Sequence, residues 1–238
     1  MRCRIGLVRI PVFFFFAPFL FFFFFFPHAS LTHPPTHFTH ACAVERVYIA
    51  TGDDNIAIKS GRNWYGRTFG RASANITIRD SVFGSGHGLS VGSEMSGGVR
   101  DVLFQNITAT GGVQGPRIKS ERGRGGVVEN VVFRDITLRD TKLAIQLTDN
   151  YDPGIAPTNA TATPIFRNIT LENIVAVGAA SGWVLDGLAE SPIHGLTLRN
   201  ISIAGPSKAS DLFKQCDFVD ASTAACEGVR PACPPCAQ

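Results

Sequence analysis

Charge is scarce in this chain. Only 17% of the 238 residues are Asp, Glu, Lys or Arg, and the net charge is +3. A nucleic-acid-binding domain would carry many more clustered cations, so that class is excluded. Acids are missing from the first 44 residues altogether, Glu45 being the first. Trp (2), Tyr (3) and Met (2) are rare, and no stretch shows sustained helical periodicity. The pair Cys233-Pro-Pro-Cys236 has no second ligand pair and no βαβ context, which weakens zinc or redox chemistry. What remains is 45% hydrophobic with 24 Gly, a composition that suits a β-rich globular protein.

The amino terminus differs from the rest. Arg2, Arg4 and Arg9 precede an apolar run from Ile10 to Phe26, and Pro27-His28-Ala29-Ser30 closes it. Eleven of the fourteen residues from Phe13 to Phe26 are Phe. The pattern reads as a secretory signal over 1–30 with cleavage after Ala29 or Ser30; a signal anchor or a low-complexity apolar segment are the alternatives. Residues 31–43, with His33, His37, His40 and two Pro, read as a linker. With Cys3 removed, Cys42, Cys216, Cys226, Cys233 and Cys236 remain. Four of these crowd the tail over 215–238, so local disulfides are expected there in an oxidising compartment.

A repeat organises the middle of the chain. Six segments share alternating apolar positions framed by polar or Gly residues, mostly Asn or Asp. They are Arg46-Val-Tyr-Ile49, Asn75-Ile-Thr-Ile78, Asp101-Val-Leu-Phe104, Asn130-Val-Val-Phe133, Asn168-Ile-Thr-Leu171 and Gly195-Leu-Thr-Leu198. Their starts lie 29, 26, 29, 38 and 27 residues apart. Such a period signals a solenoid or array, and short β-branched runs bounded by turn residues make each unit one coil of a parallel β-helix. The expected domain spans 44–214, with inward apolar residues from successive coils forming one continuous core. The recurring Asn is expected at turns, where it tolerates left-handed geometry. The spacing of 38 implies a loop insertion near 148–163, and the Cys-rich tail is expected to cap the end.

Three polar clusters fall in successive coils: Asp53-Asp54, Gly86-His87-Gly88 and Arg117-Ile118-Lys119. They are 33 and 30 residues apart, counted from Asp54 to His87 and from His87 to Arg117. Alone, each reads blandly: a solvated acidic turn, a flexible turn, a basic face. The shared coil spacing stacks them instead on one face.

In this order and spacing, with every position of the His-containing signature present from Asp80 to Ser93, the clusters resemble glycoside hydrolase family 28. The resemblance covers about three quarters of the chain and the latter half of a family member. It implies a right-handed single-stranded parallel β-helix of the pectin-lyase-like kind, an all-β fold. It also implies inverting acid/base hydrolysis of α-1,4-galacturonosidic bonds in pectin, in which two carboxyl groups flank the bond with room for a water. On it, Asp53 is the general acid, Asp54 activates water, and His87 tunes the acid. Arg117 and Lys119 grip the galacturonate carboxylate, Arg as a fork and Lys as a point charge. The like charge of Asp54 is expected to raise the Asp53 pKa. Gly86 and Gly88 are expected to let backbone approach a sugar. Neither metal nor cofactor is implied. The expected partner is pectic polysaccharide, the expected state a secreted, cell-wall monomer with no stable membrane insertion.

Family members carry an Asn-Thr-Asp motif about one coil before the Asp pair; here that place holds Ser30-Leu-Thr-His-Pro34. Two alternatives therefore stand beside hydrolysis of polygalacturonate: an inactive relative that binds pectin, and a rhamnogalacturonan or xylogalacturonan hydrolase. Glu45 is a candidate substitute carboxylate. Arg100, Arg122 and Arg124 are candidates to widen a positive groove, Trp64, Tyr65 and Trp183 to stack on sugars. Tyr151 lies in the insertion, unmatched to any role. Sequons occur at Asn75, Asn106, Asn159, Asn168 and Asn200; four sit in the repeat, leaving Asn159 as the glycosylation candidate.

Overall fold

The computed structural model describes residues 3–6, 42–152 and 162–234. Most of the expected signal and linker, and Asn159, lie outside these residues. In chain order the elements are β1 Cys3–Gly6, β2 Cys42–Glu45, β3 Tyr48–Ile49, β4 Ile56–Ile58, α1 Asn63–Phe69, β5 Ser73–Phe83, β6 Leu89–Gly92, β7 Val99–Thr110 and β8 Pro116–Lys119. They continue with β9 Val127–Arg139, β10 Leu143–Thr148, β11 Ile165–Val177, β12 Ser181–Asp186, β13 His194–Ala204, α2 Ala209–Leu212, β14 Phe213–Asp217 and β15 Ala225–Arg230. Long and short strands alternate. The long ones form a sheet in the order β1-β2-β5-β7-β9-β11-β13-β15, with β3 also on β5. The short ones form a second sheet, β14-β12-β10-β8-β6-β4. All these pairings are parallel. This is the expected parallel β-helix, its coils winding right-handed as parallel crossovers do.

Each coil bends where a residue adopts positive φ. One row runs Asn75, Asp101, Asn130, Asn168 and Gly195; a second runs Arg46, Asp80, Asn106, Asp135, Asn173, Asn200 and Gly228. A β-carbon makes this region costly for most residues, and Asn and Asp tolerate it best after Gly. The side chains in these rows bond from coil to coil. Asn130 Nδ2 donates to Asp101 Oδ1 (3.0 Å), Asn106 to Asp80 (2.7 Å), Asn173 to Asp135 (2.8 Å) and Asn200 to Asn173 (2.9 Å). Four of the sequon asparagines are therefore bend residues.

Between the bends, alternate residues point inward and stack in columns. Ile78, Phe104, Phe133, Leu171 and Leu198 form one, with the Phe104 and Phe133 rings 4.7 Å apart and nearly parallel. Ile58, Val91, Ile118, Leu147 and Leu185 form another beneath the short sheet. Trp183 is completely buried in this core, which removes it as a sugar-stacking candidate. β14 runs through residue 214 and β15 pairs with β13, so the tail carries strands as well as the Cys226–Cys233 disulfide. Cys216 is also disulfide-bonded. Among the described residues no helix is long and apolar enough to cross a membrane.

One buried group works against this core. Asp149, just past β10, is fully buried and neither carboxylate oxygen has a hydrogen-bond partner. Burial, then the charges of Asp186 and Glu190, push its pKa up to about 8 against the backbone amide and Arg122.

Two predictions follow from these features. Because the folded-state pKa of Asp149 lies above the unfolded value, the folded form holds the proton more tightly. Its contribution to stability is present below pH 4 and is lost as pH rises toward 8. The urea midpoint of the parent should fall more between pH 5 and pH 8 than that of Asp149→Asn. At the bends, Asn130→Ala should cost about 2 kcal/mol through backbone strain and lost bonds. Asn130→Gly, free of the strain, should cost less in the same denaturation assay.

Candidate active site

The short sheet presents its outward residues where the three sequence clusters meet. Asp53 and Asp54 lie in the turn before β4, His87 in the turn before β6, and Arg117 and Lys119 on β8. Ile118 points into the core, so its two neighbours point out. The turns are locked coil to coil. The His87 amide donates to the Asp53 carbonyl (2.8 Å). Asn55 donates to the Ser85 carbonyl (2.9 Å) and accepts from the Gly88 amide (3.1 Å). This explains the glycines. A β-carbon on Gly86 would sit 2.4 Å from the Asn55 side chain, and one on Gly88 2.3 Å from the Gln114 carbonyl oxygen. Coil packing therefore requires glycine at both positions.

Asp53 and Asp54 have opposite environments. The Asp53 side chain is 78% exposed, and its Oδ1 lies 3.1 Å from His87 Nδ1 and accepts from the Asp54 amide at 2.8 Å. The Asp54 side chain is nearly buried. Its Oδ1 accepts from Ser90 Oγ (2.9 Å) and Arg117 Nη1 (3.2 Å), its Oδ2 from Lys119 Nζ (2.8 Å). Three coils thus converge on one carboxylate, and Arg117 is held in turn by Gln146 Oε1 at 2.9 Å.

The electrostatics correct one expectation. Desolvation alone would raise the Asp53 pKa, but the Asp54 amide, the His87 and Lys119 charges and the His87 hydrogen bond outweigh it, so the pKa is lowered. Asp54 does not raise it, because Arg117 and Lys119 neutralise that charge.

Tyr151 is the residue the sequence left unmatched. Its ring centroid lies 5.1 Å from Arg117 Cζ and 5.2 Å from Lys119 Nζ, within cation–π range. The Tyr151 amide donates to the Ser120 carbonyl (2.9 Å), which ties the insertion to the end of β8. The other candidates disperse. Glu45 is buried on the long sheet and paired with Arg79 (2.6 Å) and Arg46 (3.2 Å), so it does not stand in for the carboxylate of the missing Asn-Thr-Asp motif. Arg100, Arg122 and Arg124 are each neutralised, by Asp101, Glu190 and Glu121.

Asp53, Asp54 and His87 bring one donor atom each within 4.8 Å of one another, close enough for a metal. Both Asp54 oxygens already face cations, and a metal there would add like charge beside Arg117 and Lys119. The arrangement suits proton handling next to an anion site: an exposed carboxyl beside an imidazole, and two cations under an aromatic ring.

Removal of His87 tests this coupling. The ring's charge and hydrogen bond hold the Asp53 pKa down, so His87→Ala should move the carboxyl titration of Asp53 to higher pH, read by NMR of labelled Asp.

The family profile for glycosyl hydrolases family 28 matches residues 38–226. A probable polygalacturonase of Vitis vinifera is 33% identical over 183 residues, covering 74% of this chain and 37% of that protein. An endo-polygalacturonase of Pectobacterium carotovorum subsp. carotovorum is 33% identical over 160 residues, 67% of this chain and 37% of its own. The crystal structure of a hyperthermoactive exopolygalacturonase from Thermotoga maritima superposes with a TM-score of 0.63 at 32% identity, over 69% of this chain and 37% of that one. The chain thus spans little more than a third of the length of each of these relatives. Over that stretch the coil register, the bend asparagines and the matched profile agree, and the chain belongs to glycosyl hydrolase family 28.

Proposed function

We propose that this chain acts on the galacturonan of pectin, hydrolysing α-1,4-galacturonosidic bonds with inversion. The observation that carries the reading is the convergence of Arg117, Lys119 and Tyr151 beside an exposed Asp53 paired with His87. A galacturonate carboxylate is drawn to the two cations, while the Tyr151 ring offers an apolar surface to a sugar face. Asp53 is the exposed carboxyl of the pair and, its pKa being lowered by its neighbours, protonates a leaving oxygen at acidic pH, where it carries its proton. Asp54, fixed by Ser90, Arg117 and Lys119, is the carboxylate placed to orient water, and His87 positions Asp53. The Arg-rich start and apolar run of residues 2–26 support export, which would bring the protein to the cell wall.

A second reading is binding without turnover. Both Asp54 oxygens are occupied, and the only His/Cys/Asp/Glu cluster of this kind among the described residues contains no third carboxylate.

Release of reducing ends from polygalacturonate separates the two. Hydrolysis predicts release by the parent and a loss of about 10²–10⁴-fold in Asp53→Asn, with oligogalacturonate affinity retained. Lys119→Ala should weaken that affinity about tenfold or more, the scale of one charge-assisted hydrogen bond. A folded parent that binds but releases nothing supports the second reading. A parent that neither binds nor cleaves refutes both.

A further inference from the structure

The helix α1 carries a patch that the catalytic cluster does not use. Trp64, Tyr65 and Phe69 are 60%, 78% and 53% exposed. The Trp64 and Tyr65 rings stand edge to face with centroids 5.0 Å apart, and Arg71 lies over the Phe69 ring at 6.0 Å. Three large apolar side chains in seven residues is an exposed patch of the kind that marks an interaction surface.

The patch also carries positive charge. Arg62, Arg67 and Arg71 are all exposed, and among the described residues none has a carboxylate within ion-pair distance. Arg46, Arg79, Arg100, Arg117, Arg122, Arg124, Arg134, Arg167 and Arg199 are paired, whereas Arg139 and Arg230, like the three here, are exposed without such a partner among the described residues. Exposed arginines without an ion-pair partner, set beside exposed aromatic rings, complement a ligand that is anionic and has apolar faces. A run of uronic acid residues has both: carboxylates along the chain, and sugar faces lined with C–H groups that lie against aromatic rings.

The patch is anchored to the loop that follows the cation pair. Gly66 packs flush on the neighbouring coil, where an added β-carbon would lie 2.7 Å from both Gly61 and Ser96. Arg67 Nη1 donates to the Gly123 and Arg124 carbonyls at 2.6 and 3.0 Å. The buried Arg124 donates to Asn63 Oδ1 at 2.9 Å. So α1 is clamped on the loop that leaves β8 immediately after Lys119 and Ser120. A preordered surface spends little entropy on binding.

We infer that Trp64, Tyr65 and Phe69, with Arg62, Arg67 and Arg71, form a second polysaccharide site that docks a galacturonate-rich stretch of the chain whose other part lies at Arg117 and Lys119. The inference rests on the pectic reading of the main site but adds a site to it. Two sites on one polymer raise affinity only for chains long enough to span both.

Tryptophan emission reads this site cleanly, because Trp183, the one other Trp in the chain, is fully buried. The full chain is titrated with digalacturonate, with long oligogalacturonates and with fully methyl-esterified pectin. Long oligogalacturonates should shift Trp64 emission; digalacturonate, held at Arg117 and Lys119, should not. Trp64→Ala/Tyr65→Ala should bind long chains about tenfold more weakly (the scale of ~1.4 kcal/mol) and digalacturonate as the parent does. Long chains that bind the double variant as tightly as the parent overturn the inference. Methyl-esterified pectin binding as tightly as the acid overturns its electrostatic half. Trp64 shielded from iodide in the free protein overturns it too, by showing that the Phe-rich segment or a second copy already covers the face. If long chains shift Trp64 while digalacturonate fails to bind, the main-site reading falls and this site stands.

Discussion

Parallel register between coils is the constraint on which everything else rests. A coil carries its residues to the same place as the next only if strands pair without slippage, and slippage by one residue would turn every side chain to the opposite face. The inward columns resist slippage through packing. The bend rows resist it through conformation, because positive φ recurs at matched positions and only a few residue types fit there. The amide ladders join neighbouring bends and add direction. Given this register, residues about 30 apart in sequence become neighbours about 5 Å apart, and a site can be assembled one residue per coil.

The candidate centre is such an assembly, and Asp54 is its hub. Ser90 from one coil and Arg117 and Lys119 from the next all bond it. Two buried cations and a carboxylate keep each other in place. Asp53, one residue earlier, is largely in solvent, with His87 and the Asp54 amide beside it. Adjacent residues of one type therefore hold different states because the turn points one inward to the cations and the other outward.

Legibility from sequence followed the same physics. The coil period was readable because bends demand Asn, Asp or Gly at fixed intervals, and the site was readable because Asp53, Asp54, His87, Arg117 and Lys119 share that period. Tyr151 was not, since it sits in an insertion that breaks the period, and its place over Arg117 and Lys119 follows from the Ser120 contact. Gly86 and Gly88 were visible, but their packing against Asn55 and the Gln114 carbonyl was not, since spacing does not reveal contacts between coils. Asp149 lies where the spacing implied only a loop insertion, yet the coil corner buries it completely. Arg100, Arg122 and Arg124 looked like a positive rim, whereas their ion pairs come from residues as distant in sequence as Glu190.

The central claim is that stacked coils place an anion-binding pair of cations beside a free carboxyl. A crystal structure of the Asp53→Asn variant with trigalacturonate tests it most directly. The account predicts one galacturonate carboxylate within hydrogen-bond reach of both Arg117 and Lys119, its sugar ring against Tyr151, and a glycosidic oxygen within reach of residue 53. A trisaccharide bound elsewhere, with Arg117 and Lys119 still turned wholly to Asp54, would contradict it.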